Sequence, residues 1–258
     1  MKILKLLAAV LLVLAITLPT ATAENGNGKI NWFFKSKGNN QRPEIPLSSI
    51  LADSAALYIG PEDEKTVYLT FDAGYSNENV EKTLDVLKAH NITAAFFILP
   101  GIIKNSEATV KRMADEGHTV CNHTTTHGDM AKITDITDFK NELDGVANLY
   151  REKTGYEMAR YFRPPEGSFS KKTLEFCSKL NVTPVFWSFA YADWDNSRQP
   201  SPEKAREKIL SSVHNGAVIL LHPTSKTNAD ILDEIVCELK SRGYSFGTLD
   251  ELYEKTAK

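Results

Sequence analysis

The sequence places one carboxylate and two imidazoles at spacings that suit the activation of a water molecule. Asp72 follows a run of β-branched and aromatic residues at 67–71, so a predicted strand delivers its carboxylate. His123 and His127 stand close enough along the chain to chelate one metal ion. A carboxylate base beside a histidine-bound metal predicts metal-assisted hydrolysis. Ala73, however, occupies the position where a second carboxylate would complete the metal site.

Three more polar side chains stand at the ends of predicted strands. Arg163 precedes two prolines, which hold it extended and suit a guanidinium aimed at a carboxylate. Asp193 is followed by Trp194, and His222 directly ends the apolar run 218–221. At such a strand end an imidazole faces the mouth of a barrel, where a nearby carboxylate can fix its tautomer.

Each of these residues also has an ordinary structural explanation. Asp72 near Gly74 could form a turn, and the two histidines could be solvated loop residues. Residues 163–167 could be a stiff turn, and Asp193 a surface acid beside a core aromatic. The hydrolase interpretation is favoured because all of these side chains follow predicted strands.

The elements that position these residues alternate between strand and helix from residue 67 onward. The predicted strands are 67–71, 94–99, 119–121, 160–162, 184–189, 217–221 and 244–246. The predicted amphipathic helices are 77–90, 106–116, 137–153, 171–180, 202–213, 228–242 and 249–255. This alternation is typical of a parallel α/β domain, either a barrel or a doubly wound sheet. In a β/α barrel the carboxyl ends of the strands converge on one face, which would bring the polar residues together.

The first residues are typical of an export signal. Lys2 and Lys5 precede an apolar stretch at 6–18, and Ala-Thr-Ala at 21–23 is a cleavage site. The apolar stretch is short for a membrane span, which needs about 20 residues. We therefore expect a signal peptide at 1–23, a location outside the cytoplasm and no stable span after cleavage, with an uncleaved anchor as the alternative.

Residues 24–57 form a polar segment around three aromatic residues, Trp32, Phe33 and Phe34. We interpret this segment as an extended arm whose aromatic residues pack on the domain, because exported proteins rarely expose adjacent aromatics. The alternative is a surface patch that contacts the wall or a glycan.

Charge and cysteine content exclude several classes of protein. The formal net charge is −3 and no long basic run is present, so nucleic acid is not expected as a partner. The three cysteines, Cys121, Cys177 and Cys237, form no C-x-x-C pair and are expected to be small buried hydrophobic residues. Cys121 precedes His123 by two residues, so a role as a soft metal ligand is conceivable.

Five motifs carry a resemblance to a known family. They are TFDAG at 70–74, HTTTH at 123–127, RPPEG at 163–167, DW at 193–194 and LLH at 220–222. The motifs and their order resemble those of the polysaccharide deacetylase family, and the resemblance covers the chain from about residue 58 to 253. This family is also called the NodB-homology domain or carbohydrate esterase family 4. The resemblance implies a single domain at 58–258, folded as a distorted (β/α) barrel and preceded by the arm.

The resemblance also implies catalytic roles. Asp72 would be the general base that activates water, and Arg163 would orient Asp72 and keep it ionised. His222, held by Asp193, would protonate the leaving amine.

The same resemblance implies ligands for a metal and for the substrate. His123 and His127 would bind a divalent ion of the Zn, Co or Mn class. A backbone N–H near Glu166 would donate to the oxyanion, and Trp194 and Leu220 would line the pocket for the acetyl methyl.

One departure from the family pattern bears on the metal. The family usually has Asp at position 73 as a metal ligand, where this chain has Ala73. Residues 70–75 and 186–194 resemble a branch that deacetylates N-acetylmuramic acid and forms muramic δ-lactam, and this branch also tends to lack that Asp. The missing ligand therefore predicts a weaker metal site rather than an inactive protein.

Taken together, the resemblance implies a monomeric, exported de-N-acetylase acting on cell-wall glycan, with N-acetylmuramic acid of the spore cortex as substrate. One alternative is deacetylation of another glycan, such as N-acetylglucosamine in peptidoglycan, chitin oligomers or O-acetyl xylan. The other is an inactive wall-binding homologue, which Ala73 motivates.

Overall fold

The computed structural model describes residues 28–256, so the predicted signal peptide at 1–23 lies outside the described residues. The strands are β1 (Ile30–Asn31), β2 (Thr66–Ala73), β3 (Ala95–Ile98), β4 (Thr119–Asn122), β5 (Tyr161–Phe162), β6 (Ser168–Phe169), β7 (Thr183–Pro184), β8 (Ala217–Leu221) and β9 (Ser245–Phe246). The α-helices are α1 (Ser48–Leu51), α2 (Glu78–Ala89), α3 (Pro100–Asn105), α4 (Glu107–Asp115), α5 (Ile136–Thr154), α6 (Lys171–Lys179), α7 (Pro202–Ser212), α8 (Lys226–Ser241) and α9 (Leu249–Thr256). Across residues 28–256, none of these helices is long and apolar enough to span a membrane.

Seven parallel strands form one curled sheet in the order β7-β5-β4-β3-β2-β8, with β9 paired to β2. Beyond β7 the chain reaches the opposite edge of the sheet, where Phe189 bridges Ile219 of β8. The Ser188 N–H donates to the Val218 carbonyl at 2.9 Å in the same place. The predicted distorted (β/α) barrel is therefore confirmed.

Alternation along β2 separates two hydrophobic clusters. Val67, Leu69 and Phe71 pack against the helices outside the sheet, whereas Tyr68 packs with residues inside the barrel. Because successive side chains of a strand point to opposite faces, Asp72 shares the inner face with Tyr68. The strand itself thus directs this carboxylate toward the barrel interior.

Two predicted strands differ from the observed ones by more than one residue at an end. The strand expected at 184–189 forms a ladder only at Thr183–Pro184, and its remainder makes single bridges to Leu57 and Ile219. The chain crosses from one sheet edge to the other here, so no continuous ladder can form. The strand expected at 67–71 extends to Ala73, which places Asp72 within β2 rather than after it.

The arm packs on the domain through Trp32. Its ring stacks on Phe186 with centroids 4.6 Å apart, and its indole N–H donates to the Trp187 carbonyl at 2.9 Å. Beside it, β1 pairs with β6. The expected packing is confirmed for Trp32 but is wrong for Phe33, which is 46% exposed.

Candidate active site

A cleft of ≈ 630 Å³ opens at the carboxyl ends of the strands. Seven of the nine predicted site residues line this cleft, all except Arg163 and Asp193. Those two side chains are buried, at 0% and 1% exposure, and contact Asp72 and His222. The strand ends thus bring all the predicted residues into one site.

Arg163 anchors the Asp72 carboxylate from below the cleft. It donates to Asp72 Oδ1 at 2.6 Å, to Thr70 Oγ1 at 2.8 Å and to the Val185 carbonyl at 3.2 Å. The guanidinium also lies 4.0 Å from the centroid of the Phe97 ring. Because all three guanidinium nitrogens are engaged in hydrogen bonds, the side chain of Arg163 is fixed and can hold Asp72 in only one orientation.

The electrostatic environment keeps Asp72 ionised. Burial raises the pKa of this carboxyl, but the charge and hydrogen bond of Arg163, with His123 and His222, outweigh burial and hold the pKa below its usual value. Oδ1 is occupied by Arg163, and Oδ2 lies 3.5 Å from His123 Nε2. An ionised oxygen is therefore available on the cleft side of the carboxylate.

The backbone around His123 fixes which of its nitrogens faces the cleft. Nδ1 lies 2.9 Å from the Arg163 carbonyl, which can only accept, so Nδ1 carries the hydrogen. Nε2 is left with its lone pair toward Asp72 and the cleft. Burial lowers the pKa of His123 to about 4, so the ring is neutral near pH 7. The ring of His127 is adjacent, with centroids 5.0 Å apart.

Residues 123–127 form a tight loop after β4. Asn122 Oδ1 accepts from the Thr124 N–H at 2.9 Å, and Thr124 Oγ1 accepts from the His127 N–H at 2.9 Å. The Glu142 carboxylate of α5 accepts from two further N–H groups of the loop, those of Thr125 and Thr126. Local side chains thus satisfy the loop backbone and hold the histidine pair together.

His222 is oriented by a buried carboxylate. Asp193 Oδ1 lies 2.8 Å from His222 Nδ1, and Asp193 Oδ2 accepts from the His222 backbone N–H at 2.8 Å. Burial lowers the pKa of His222, but the hydrogen bond and charge of Asp193 outweigh burial and raise the pKa above its usual value. With Nδ1 bonded to Asp193, Nε2 is left to face the cleft.

Asn228 also supports this pair and was not predicted. Its amide donates to Asp193 Oδ2 at 2.6 Å from the first turn of α8. It is a buried polar residue at 3% exposure on a helix whose buried side chains are otherwise apolar except for Thr227. A polar residue on the apolar face of α8 was the sequence signal that could have identified it.

Strained backbone is concentrated in this site. Across residues 28–256, left-handed backbone at residues other than Gly and Asn occurs only at Thr124 (φ 75°), His127 (φ 57°) and Glu166 (φ 55°). Such conformations persist where the surrounding structure imposes them. After Glu166 only glycine fits, because a Cβ on Gly167 would lie 2.7 Å from the Trp32 side chain.

Cys121 does not line the cleft. It is fully buried among residues inside the barrel, and its thiol lies 3.4 Å from the Thr119 carbonyl. The position of this thiol therefore gives no support to a role as a metal ligand, and Cys121 packs as a small hydrophobic side chain. Burial is also confirmed for Cys177, but the expectation is wrong for Cys237, which is exposed.

A curled parallel barrel with an ionised carboxylate, a histidine pair and a second imidazole at its strand ends defines a hydrolase of the water-activating class. The chain belongs to the polysaccharide deacetylase family, whose model, "Polysaccharide deacetylase", matches residues 59–185. It is thus an enzyme that hydrolyses carbon–nitrogen bonds other than peptide bonds.

Three relatives illustrate the similarity. An uncharacterized protein of Geobacillus stearothermophilus is 42% identical over 90% of this chain and 88% of its own length. The peptidoglycan-N-acetylmuramic acid deacetylase PdaA of Bacillus subtilis is 40% identical over 89% of this chain and 88% of its own length. A solved structure of PdaA has a TM-score of 0.84 at 39% identity, covering 88% of this chain and 97% of that one. A peptidoglycan-N-acetylglucosamine deacetylase of Bacillus cereus is 32% identical over 87% of this chain and 81% of its own length.

Deacetylases of this family are generally metal-dependent. The donors in the cleft fit a divalent ion, because the hydrogen bond from His123 Nδ1 to a carbonyl leaves Nε2 free, the arrangement found for metal-binding histidines. His127 supplies a second imidazole, whereas the methyl side chain of Ala73 supplies no metal ligand. The fit is therefore that of a two-histidine set whose remaining positions are left to water or substrate.

Ala73→Asp is expected to tighten the binding of a divalent ion by about tenfold or more, because it adds a charged oxygen ligand at the cleft. Ala73 lies at the end of β2, packs in the same hydrophobic cluster as Phe71, and also reaches the lining of the cleft that contains both histidines. Affinity is measured by competition with a chromogenic chelator. Ala190→Asp is the control, since it adds the same carboxylate elsewhere in the cleft lining. Equal affinities in the parent chain and Ala73→Asp would contradict the two-histidine assignment.

Proposed function

We propose that this chain is a peptidoglycan de-N-acetylase that hydrolyses the acetamide of N-acetylmuramic acid. The observation that carries the proposal is the pairing, across one cleft, of an Arg163-bound carboxylate with an imidazole bound to Asp193. Similarity to PdaA of Bacillus subtilis, whose name gives this substrate, supports the choice of sugar.

In the proposed reaction Asp72 accepts a proton from water as the water oxygen bonds to the acetamide carbon. A backbone N–H beside Glu166 donates to the oxyanion that develops on the carbonyl oxygen. The carbon–nitrogen bond then breaks, and His222 Nε2 gives its proton to the departing amine. The products are acetate and an amino sugar.

The remaining site residues bind rather than transfer protons. Trp194 and Leu220 line the cleft and receive the acetyl methyl. His123 and His127 are the proposed ligands of a divalent ion, which when bound would polarise the acetamide carbonyl.

The proposed setting is the cell wall. Residues 1–23 act as a signal peptide, 24–57 as an arm and 58–258 as a monomeric catalytic domain. In spore cortex the freed amine then forms an amide bond with the lactyl carboxyl, with loss of water, to give muramic δ-lactam.

The raised pKa of His222 sets a pH limit on this reaction. His222 must be protonated to act as an acid, so the rate falls as pH rises through its pKa. Since Asp193 raises that pKa, Asp193→Asn is expected to move the fall in rate to lower pH. Loss of orientation also lowers kcat at the optimum by about 10²-fold. The pH profile of kcat measures both effects. If the fall in kcat at high pH stays at the same pH in Asp193→Asn, the assignment of His222 as the general acid is contradicted.

Acetate release from a set of glycans tests the proposed function. The set comprises peptidoglycan glycan strands with and without stem peptides, chitin oligomers and O-acetyl xylan. Release from muramic residues is the expected result. Release only from N-acetylglucosamine would favour the activity named for the Bacillus cereus relative, and binding without any release would favour an inactive wall-binding protein.

A further inference from the structure

Tyr191 lines the cleft, but the proposed chemistry gives it no part. Its ring is half-buried and packs beside Phe189, with centroids 6.3 Å apart. Its hydroxyl bonds to Oδ1 of Asn228, a buried side chain in the first turn of α8. The hydroxyl is therefore bound to a neighbour within the protein, although the ring borders the space for the glycan.

The surroundings of Asn228 fix the direction of its amide. The Asp193 carboxylate, at 2.6 Å, and the His222 carbonyl, at 3.2 Å, both bond to the same terminal atom of this side chain. An ionised carboxylate and a carbonyl can only accept, so that atom is the amide nitrogen and the amide oxygen faces Tyr191. The Tyr191 hydroxyl must then donate. Burial and the charge of Asp193 raise the pKa of Tyr191, so the hydroxyl keeps the hydrogen that it donates.

Asp193 depends on few groups to stabilise its charge. Within residues 28–256 its only ion pair is with His222, and its side chain is buried. Its Oδ2 accepts from two neutral donors, the His222 backbone N–H at 2.8 Å and the Asn228 amide. A hydrogen bond to a carboxylate stabilises its charge and lowers its affinity for a proton. Asn228 therefore moderates how strongly Asp193 stabilises a protonated His222.

Backbone contacts hold the same groups in place. The Asn228 N–H donates at 3.1 Å to Oγ of Ser225, the residue that caps α8. The Ser225 hydroxyl bonds to Gln199 Oε1, and the Gln199 amide donates to the Asp193 carbonyl at 2.8 Å. The loop that carries Asp193 is thus tied to the start of α8, and the two side chains meet without help from a ligand.

We propose that Tyr191 is a positioning residue of the reaction and does not act by contact with the glycan. Its hydroxyl holds the Asn228 amide so that the N–H stays on Asp193 Oδ2. Asp193 in turn keeps His222 Nε2 facing the cleft. The proposal rests on the proposed function in one respect, because it takes His222 as the group that protonates the amine.

A double-mutant cycle on kcat tests whether the effect of Tyr191 passes through Asn228. Tyr191→Phe keeps the ring in the cleft lining and removes only the hydroxyl. We expect it to lower kcat for acetate release from glycan strands about fivefold, the effect of one net hydrogen bond, with KM unchanged. Asn228→Leu should lower kcat about tenfold or more, since it removes both the donor and the acceptor. In the Asn228→Leu background, Tyr191→Phe should lower kcat no further.

The pH profile of kcat gives a measurement that a purely structural role would not change. Besides burial, the charges of Asp193, Asp72 and Arg163 act on the pKa of His222. Asn228→Leu keeps these charges and removes a donor from Asp193, so the pKa of His222 should rise. The fall in kcat at high pH should therefore move to higher pH by about 0.5–1 unit, opposite to the direction expected for Asp193→Asn. A fall at the same or a lower pH overturns the proposal.

Tyr156→Phe is the matched control. It removes the hydroxyl of another tyrosine, which bonds to Asp115 and lies outside the cleft lining. Its kcat and pH profile should equal those of the parent chain. Circular dichroism checks the folding of every variant, and Asn228→Ala replaces Asn228→Leu if the larger side chain prevents folding.

The outcomes separate this proposal from the proposed function. Equal effects of Tyr191→Phe on kcat in the parent and Asn228→Leu backgrounds overturn the positioning role and leave the proposed function standing. If the parent chain releases no acetate, the proposed function fails and the pKa of His222 is measured by NMR, with its signals assigned from their loss in His222→Asn. Tyr191→Phe should raise this pKa in the parent background but not in Asn228→Leu. Equal titration curves for the parent chain and Tyr191→Phe overturn the positioning role without any turnover.

Discussion

Replacing Asp72 by Asn is expected to lower kcat/KM for acetate release by about 10²- to 10⁴-fold, the range for a positioned general base. The amide cannot accept the proton from water, but its oxygen can still accept from Arg163, so the fold should be retained. Acetate release under initial-rate conditions measures the loss, with circular dichroism as the check on folding.

The matched control is Asp53→Asn, which makes the same chemical change at an exposed residue of the turn after α1. This variant should keep the parent rate. A decrease of only a few-fold in Asp72→Asn would mean that another group activates the water.

Replacing Arg163 by Met is expected to destabilise the chain by about 3–5 kcal/mol, the cost of leaving one partner of a buried ion pair uncompensated. Arg163 is 0% exposed and Asp72 is 9% exposed, so solvent cannot replace the lost guanidinium. The free energy of unfolding in urea measures this effect.

The destabilisation should depend on pH with a definite sign. Arg163 helps to hold the pKa of Asp72 below its usual value, so the pair stabilises the fold above the unfolded pKa of that carboxyl. This contribution disappears as pH falls through the folded pKa. The loss of unfolding free energy in Arg163→Met, relative to the parent chain, should therefore be largest near neutral pH and smaller in acid.

A double variant separates this electrostatic cost from lost packing. Adding Asp72→Asn to Arg163→Met removes the orphaned charge, so the double variant should be more stable than Arg163→Met alone. If the double variant instead loses as much unfolding free energy as the two single variants together, Asp72 and Arg163 are not energetically coupled. The destabilisation of Arg163→Met would then come from lost packing.

The sequence was sufficient for the parts of the site that depend on strand ends. Period-2 alternation in β2 fixes the face on which Asp72 lies, and parallel strands bring His123 and His222 to the same edge. The alternation in β2 is a local property of the sequence, and the shared edge follows from the general rule that the carboxyl ends of parallel strands lie together. For this reason a parallel α/β domain and the cluster of polar residues could both be predicted from the residues, whereas the choice of a barrel over a doubly wound sheet rested on the family resemblance.

Other features depend on contacts between distant segments and could not be predicted. Asn228 reaches Asp193 because α8 packs beside the loop after β7. Phe189 meets β8 only once the sheet has curled. The close contact between Trp32 of the arm and Gly167, the residue after Glu166, exists only once the arm packs on the domain. The division at residue 57/58 and the roles of individual site residues stay predictions.

Mass spectrometry of muropeptides tests the central proposal most directly. Purified glycan strands are treated with the chain or with Asp72→Asn, digested to muropeptides and compared. We expect the parent chain to lower the mass of muramic residues by one acetyl group, whereas Asp72→Asn should leave the mass unchanged. Muramic residues that keep their acetyl groups, beside deacetylated N-acetylglucosamine or an unchanged glycan, would contradict it.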